Sequence, residues 1–404
     1  MSPCISIAAS SLGVEQGNRL ESQYLAPVLR KLDGALYEGV LTSGENAREC
    51  LTRVVLVATG GTEDTIISLA KKTKLLYLLY IEEYNSLPAV IEAVGYLKNN
   101  GKDVSVTKLE STQQIQELLE KLGRMEKTYE KIRIARLGLI GGISPWLVYS
   151  KVEPETLHKR FGAGLVEVAL EELVKTYNSV SKVEVPREII ENALEVKIPI
   201  SEIQKAYRLY LAIKQVIGKE SLDGLTIKCF DIIKELDTTA CLALSLLNTM
   251  GFPAACEGDV PLLVSMVLGE WSTGQPVFMA NPAIISGDSV LFAHCTAPLI
   301  SSYSLMTHFE SGRGVGIMVK FPVGEKVTVY RVNPNLDTLR IFTGTILDSP
   351  WSNRHCRTQV KVKLSQPRVI LDRSFGNHYA LVLGDHTEEL SGVARLLGLN
   401  LETY

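Results

Sequence analysis

The pattern of apolar residues changes character once along the chain, near Gln275, and this change constrains the fold more than any other feature. Before it, short continuous apolar runs such as residues 5–9 and 54–58 alternate with stretches of helical spacing, among them 66–72, 87–99 and 113–122. Unbroken apolar runs suit strands buried on both faces, and helix-length spacers between them impose parallel pairing through crossovers. The segment 123–131 is charged and poor in strand formers, which suits a linker or a bridging helix. A second α/β unit opens with a strand over 134–140 and Gly141-Gly142, much as residues 54–58 lead to Gly60-Gly61. Helices are expected over 154–161, 164–177 and 201–217, and strands over 225–232 and 254–257. Thr238-Thr239 offers a cap for a helix reaching Met250, and Asp259 caps another running towards Gly274.

After Gln275, β-branched and aromatic runs recur at short intervals: 277–279, 289–293, 315–321, 326–332, 339–343, 359–364 and 379–383. Turns rich in glycine and proline separate them, as in Pro322-Val323-Gly324 and Asn333-Pro334-Asn335. This is the signature of an antiparallel sheet or small barrel, closed by an amphipathic helix over 387–397. The predicted class is therefore α/β. Two doubly wound parallel α/β domains, 1–130 and 131–275, precede an antiparallel sheet or small barrel domain, 276–404. A chain of 404 residues, 46% of them hydrophobic, has material for separate cores of that size.

Charge narrows the partners. Lys and Arg total 42 against 45 Asp and Glu, a net charge of −3. That balance supplies neither a basic footprint for nucleic acid nor a polybasic face for a membrane. Small molecules and further copies of the same chain are the expected partners. Cys4, Cys50, Cys229, Cys241, Cys256, Cys295 and Cys356 form no CxxC pair, which argues against zinc ribbons and redox motifs. Reduced thiols and a cytoplasmic location follow as the simplest expectation. The opening MSPCISIAASSLG lacks the basic region of a secretory signal. The most hydrophobic run, 75–81, falls far short of the ~20 residues that span a bilayer.

Residues able to do chemistry concentrate late in the chain. His294, His308, His355, His378 and His386 all lie beyond residue 290, and only His158 precedes them. Imidazole is a common metal ligand and titrates near neutrality, so this clustering hints at a site in the β-rich region. Cys256-Glu257-Gly258-Asp259 falls at the carboxyl end of a presumed parallel strand, where ligands of open α/β sheets bind. Asp259 reads equally well as a helix cap. Glu257 has no such structural task, because an acid closing an apolar strand is costly unless paired, protonated or bound to a cation. If Gly287-Asp288 is a two-residue hairpin turn, Ser286 opposes Ser289 and Asn281 opposes His294, although Pro282 favours a bulge in between.

The remaining candidates keep two readings each. His294 serves as a ligand or as a buried strand residue bonded to backbone, and His378, after Gly376-Asn377, faces either a cleft or the core. His355 and His386 read as solvent-facing turn residues. The loop His308 to Gly314 lines a pocket or lies on the surface with a Glu310–Arg313 pair. Neither Gly-Gly turn completes a GxGxxG or Walker pattern, so each is an anion cradle or simply a helix cap.

A resemblance joins several of these features. From Cys229 to the C-terminus the chain resembles the L-fucose isomerase and L-arabinose isomerase superfamily, above all its shorter fucose-isomerase-like members. The residues carrying the likeness are Thr239-Ala240-Cys241-Leu242-Ala243-Leu244-Ser245-Leu246-Leu247-Asn248, Cys256-Glu257-Gly258-Asp259, Phe278-Met279-Ala280-Asn281-Pro282, Ala293-His294-Cys295 and Gly376-Asn377-His378. The resemblance implies two Rossmann-like domains and a β-barrel in a homo-oligomer, a trimer or hexamer. It also implies a divalent metal, usually Mn²⁺, and interconversion of a free aldose and ketose, such as a pentose or 6-deoxyhexose. By position, Glu257 matches a metal-binding carboxylate that also moves the proton, His378 matches the metal-binding histidine, and Asn377 its neighbour. His294 falls where the arabinose isomerases have a further metal histidine. Asn281 stands in place of the second acidic ligand and base. Its amide can bind a hard cation but cannot accept a proton, which leaves Asp259 to substitute. The same departure suits a rival expectation, a carbohydrate-binding or regulatory protein that keeps the fold without turnover.

Overall fold

The computed structural model describes residues 2–29 and 35–404, and it divides into two compact units, Met1–Glu130 and Lys131–Tyr404. In the first unit, β1 (Cys4–Ala8), β2 (Leu36–Leu41), β3 (Cys50–Val57), β4 (Thr73–Tyr80) and β5 (Val104–Lys108) form one parallel sheet in the order β2-β1-β3-β4-β5. Its central strand β3 is buried over Leu51 to Val57, as expected of a strand covered on both faces. Cys4 and Cys50 are joined as a disulfide, which corrects the expectation of seven reduced thiols; the other five cysteines are free.

The second unit holds β6 (Arg136–Ile140), β7 (Gly164–Val168), β8 (Glu195–Val196), β9 (Gly224–Ile227) and β10 (Ala254–Cys256). Four of these make a second parallel sheet, β10-β9-β6-β7. The later strands are β11 (Phe278–Ser286), β12 (Ser289–His294), β13 (Tyr303–Met306), β14 (Gly316–Val319), β15 (Lys326–Val332), β16 (Thr338–Asp348), β17 (Thr358–Leu364), β18 (Tyr379–Leu383) and β19 (Asn400–Thr403). Antiparallel pairing runs β15-β18-β11-β12-β17-β16 and returns from β16 to β15, so six strands close into a barrel with β19 added alongside β16. Closure leaves no bare edge among those six strands. A small sheet, β14-β13-β8, completes the unit. The two parallel sheets and the closed antiparallel barrel match the expected fold class. Among the described residues, no helix is long and apolar enough to cross a membrane.

Local differences have local causes. Residues 164–177 carry a strand, β7, and then the helix Leu170–Ser179, rather than one helix. Gly164-Leu-Val-Glu-Val takes the extended form because it pairs with β6 along its whole length. The expected strand over 225–232 ends at Ile227 and continues as the helix Cys229–Leu236. The charged stretch 123–131 is helical and not a linker: the helix Thr112–Arg133 runs through it and past the boundary at Glu130–Lys131.

One helix sets the position of the site. Val260–Thr273 is buried along nearly its whole length, and it meets β15 at a glycine: a Cβ on Gly269 would fall 1.6 Å from the Tyr330 hydroxyl. Ser265 Oγ also accepts the Val332 amide of β15 at 2.9 Å. The helix leaving the parallel sheet thus lies directly on the barrel wall, and its N-cap, Asp259, comes next to Arg331.

Candidate active site

Glu257 follows β10 at the carboxyl end of the second parallel sheet. Its backbone is left-handed, with φ of +64°, and so is that of Gly258, with φ of +74°. Glycine is required at 258, because a Cβ there would sit 2.4 Å from the Gly142 carbonyl oxygen. The Ser144 amide donates to the Glu257 carbonyl at 2.9 Å. The Gly141-Gly142 turn after β6 therefore buttresses the Glu257 loop. A non-glycine residue in the left-handed region costs on the order of 1 kcal/mol, and such costs persist where the surrounding structure holds a functional side chain in place.

Three donors converge on this loop. The Trp146 indole N–H donates to Glu257 Oε2 at 2.6 Å, and Glu257 Oε1 lies 3.5 Å from His378 Nε2. His378 immediately precedes β18, and His294 ends β12. Their rings stand nearly edge to face with centroids 5.8 Å apart. His294 Nδ1 is 2.8 Å from Thr296 Oγ1, which occupies one ring nitrogen and leaves the other available. One donor atom from each of Glu257, His294 and His378 lies within 4.8 Å of the others. The donor set suits a divalent first-row cation, with two imidazoles and one carboxylate. His378 Nε2 is buried with no hydrogen-bond partner, which is the state of a nitrogen placed to bind a cation.

Asp259 lies behind His378. Its Oδ2 is 2.8 Å from His378 Nδ1, and its Oδ1 caps the following helix by accepting the Leu262 amide at 3.0 Å. Both oxygens also accept from Arg331, at 3.1 to 3.2 Å. Arg331 itself is fully buried; it donates to the backbone oxygens of His378 and Phe375 at 2.6 and 2.7 Å and to Ser150 Oγ at 2.9 Å. Gly376 makes room for it, since a Cβ there would come within 2.5 Å of Arg331 Nη2. A carboxylate behind a ligating imidazole fixes the ring orientation and its tautomer.

The electrostatics follow from this packing. Burial works to raise the Glu257 pKa, but the neighbouring His378 imidazole, the charge of His294 and the Trp146 N–H bring it down to about 2. Burial likewise opposes ionisation of Asp259, and Arg331 and His378 overcome it to give about 2. For His378, burial works downward, while the two carboxylates on either side lift its pKa to about 9. His294 is lowered to about 4, first by burial and then by neighbouring His378.

The sequence-derived candidates separate into groups. Glu257, His294 and Asn281 line a cavity of about 220 Å³ together with His308, His355, Phe230 and Glu310. An adjoining cavity of about 550 Å³ is lined by Asn281, Asn377, Gly376 and Trp146. Asn281 Nδ2 donates to the Asn377 carbonyl at 3.4 Å. Asp259 reaches neither cavity; it is wholly buried and its oxygens are already bonded. The hairpin turn at Gly287-Asp288 forms, but the register slips between Pro282 and Ile284, so Asn281 pairs with Ala293 and not with His294. Proline cannot donate to the ladder, and the bulge forms there.

Other expectations change as well. His355 lines the cavity instead of facing solvent, whereas His386 turns back to the Leu383 carbonyl at 2.9 Å. Arg313 pairs with Asp237 at 3.2 Å rather than with Glu310. Trp146 and Arg331 were not singled out from sequence. Arg331 carried a signal, a lone cation in the otherwise uncharged run Val327-Thr328-Val329-Tyr330-Arg331-Val332, where an ion is tolerated only with a partner. Trp146 carried none.

No protein-family model matches the chain. The chain is similar to sugar isomerases. The relatives are named sulfoquinovose isomerase: that of Alkalicoccus urumqiensis is 28% identical over 310 residues, covering 70% of this chain and 68% of that protein. That of Priestia aryabhattai is 26% identical over 308 residues, covering 72% and 69%, and that of Clostridium sp. 25% over 306 residues, covering 70% and 67%.

Proposed function

We propose that this chain is a metal-dependent aldose–ketose isomerase acting on a sugar, with sulfoquinovose the first substrate to test. The observation that carries the reading is the convergence of donor atoms of Glu257, His294 and His378 within 4.8 Å of one another, with Glu257 and His294 on the cavity wall and His378 buried directly behind them. The names of the relatives support the reaction class and the choice of sugar.

Glu257, His294 and His378 would hold a divalent cation such as Mn²⁺, with the Asn281 amide oxygen as a further donor. Bound there, the ion would supply Lewis-acid polarisation of the sugar carbonyl. Glu257 is the base: it takes the proton from C2 of the aldose and returns it to C1 of the ketose. Its Trp146 partner steadies one carboxylate oxygen while the other works. Asp259 is reassigned from catalysis to positioning, because its oxygens hold His378, Arg331 and the helix cap. His308, whose Nδ1 is 3.1 Å from Ser311 Oγ, keeps Nε2 for a sugar hydroxyl, and Asn377 borders the outer cavity where the far end of the sugar would lie. The chain is proposed to act as a homo-oligomer.

Asn281 in place of an acid favours a second reading, a sugar-binding protein without turnover. One experiment separates the two. Purified protein is stripped of metal, reloaded with Mn²⁺ and incubated with sulfoquinovose, a pentose and a 6-deoxyhexose, and the C2 proton is followed by exchange with deuterated water. Metal-dependent exchange and ketose formation, both lost in Glu257→Gln, support isomerisation. Sugar binding without exchange supports the second reading.

A further inference from the structure

The free cysteines are not scattered in space. Cys229, Cys241, Cys256, Cys295 and Cys356, the five outside the disulfide, all line the cavity that contains Glu257 and His294. Nothing in the isomerase reaction uses a thiol. Two of them meet at the end of one barrel ladder. Cys295 directly follows His294, the last residue of β12, and Cys356 precedes β17 by two residues. The antiparallel register pairs His294 with Thr358, which sets Cys295 diagonally beside Cys356 just beyond the last pair. The Arg357 amide between them donates to Cys295 Sγ at 3.5 Å. The thiols of Cys356 and Cys241 bond to the same sulfur. Cys295 is buried and Cys356 half-buried, so a small oxidant reaches the pair through the cavity. Among the described residues, these thiols do not form a cluster of three donors as compact as that of Glu257, His294 and His378. The arrangement suits a pairwise bond and not a metal cage.

We propose that Cys295 and Cys356 are an oxidative modification site, converted by a hydroperoxide into a disulfide in the wall of the sugar cavity. The Cys295 sulfur attacks a peroxide oxygen, the O–O bond breaks, the thiol proton passes to the departing hydroxide, and sulfenic acid and water result. The Cys356 thiol then attacks the sulfenic sulfur, the S–S bond forms, the S–O bond breaks, and a second water leaves. Two thiols and one hydrogen peroxide give one disulfide and two waters. The new bond tethers the residue after His294 to the start of β17, so it constrains the imidazole that would bind the metal.

The test uses the full chain. Protein is treated with a modest excess of hydrogen peroxide, remaining thiols are alkylated, and peptides are identified by mass before and after dithiothreitol. A Cys295–Cys356 linked peptide is expected, reversed by dithiothreitol, absent in Cys356→Ser and retained in Cys241→Ser. A Cys241–Cys295 link, oxidation to sulfinic acid without a link, or five unmodified thiols would each overturn the proposal. A second arm rests on the isomerase reading: turnover of the wild type falls on oxidation and returns with dithiothreitol, relative to its own untreated rate. The mass result does not depend on turnover, so failure of the function and failure of the disulfide are read separately.

Discussion

His378 presents Nδ1 to Asp259 at 2.8 Å and Nε2 to Glu257 at 3.5 Å, so one imidazole links a carboxylate sealed in the interior to one that borders the cavity. The two acids lie two residues apart in sequence, yet they do different work. Glu257 ends a strand in a left-handed turn, whereas Asp259 starts a helix and is gripped by Arg331. The first is available to a ligand and the second is not.

Asp259→Asn should therefore act on the metal and on stability together. Loss of a carboxylate behind a ligating histidine costs about 10- to 100-fold in metal affinity. Leaving Arg331 buried without its counter-charge costs about 3 kcal/mol. Calorimetric Mn²⁺ titration and urea unfolding measure the two effects. Unchanged Mn²⁺ affinity in a folded variant would remove Asp259 from the positioning role.

Trp146→Phe keeps a ring against Phe230, 5.0 Å away between centroids, but deletes the N–H that holds Glu257. A hydrogen bond to a charged group contributes about 1.5–3 kcal/mol, so kcat should fall by about 10- to 100-fold. KM should change much less if Glu257 is the proposed base, since the bond then holds that carboxylate and not the sugar. A change confined to KM would show that Trp146 contacts substrate instead.

Asn281→Asp adds a carboxylate to the cavity that Glu257 and Glu310 already line. Mn²⁺ affinity should rise by about tenfold if residue 281 is a ligand, because a hard cation gains from each added charge. Asn281→Ala should lower it. Equal affinity in all three proteins would place residue 281 outside the metal's reach.

Glu270 supplies a pH-dependent stability effect away from the site. Burial raises its pKa from 4.5 to about 7, against the smaller opposing influence of Lys131. The folded state binds this proton more tightly than the unfolded state, so stability is fullest below the unfolded pKa and declines as pH rises towards the folded one. Glu270→Gln removes that decline and should gain on the order of 1 kcal/mol at pH 8 relative to pH 5, after allowance for partial solvent screening. Urea unfolding of both proteins at the two pH values checks it. A parallel pH dependence in wild type and variant would show that Glu270 is not the group responsible.

Much of the fold was legible because it rests on periodicity. The buried runs of β3 and β6 and the short runs of the barrel follow from which residues can face a core, and a hairpin with a Gly-Asp turn follows from backbone geometry. Glu257 stood out for a related reason, as a charge where an apolar strand ends. Errors fell where pairing, not propensity, decided the outcome. β7 is extended because β6 lies beside it, and the slip at Pro282 moved Asn281 by one place against β12.

The sequence by itself determined the classes of element in each half of the chain and singled out Glu257, His294 and His378 as candidates, because side-chain periodicity and chemical type are local properties; the strands β2, β4, β5 and β7 were not predicted. Only the tertiary structure decided which nitrogen of His378 meets which acid, that Asp259 belongs to Arg331, that Trp146 reaches Glu257 across 111 positions, and that five thiols share one cavity. Trp146 and Glu257 come from two loops of the parallel sheet, and the other contacts join that sheet to the barrel. No local pattern encodes them, since they exist only when the helix after Asp259 has packed on β15 and the barrel has closed.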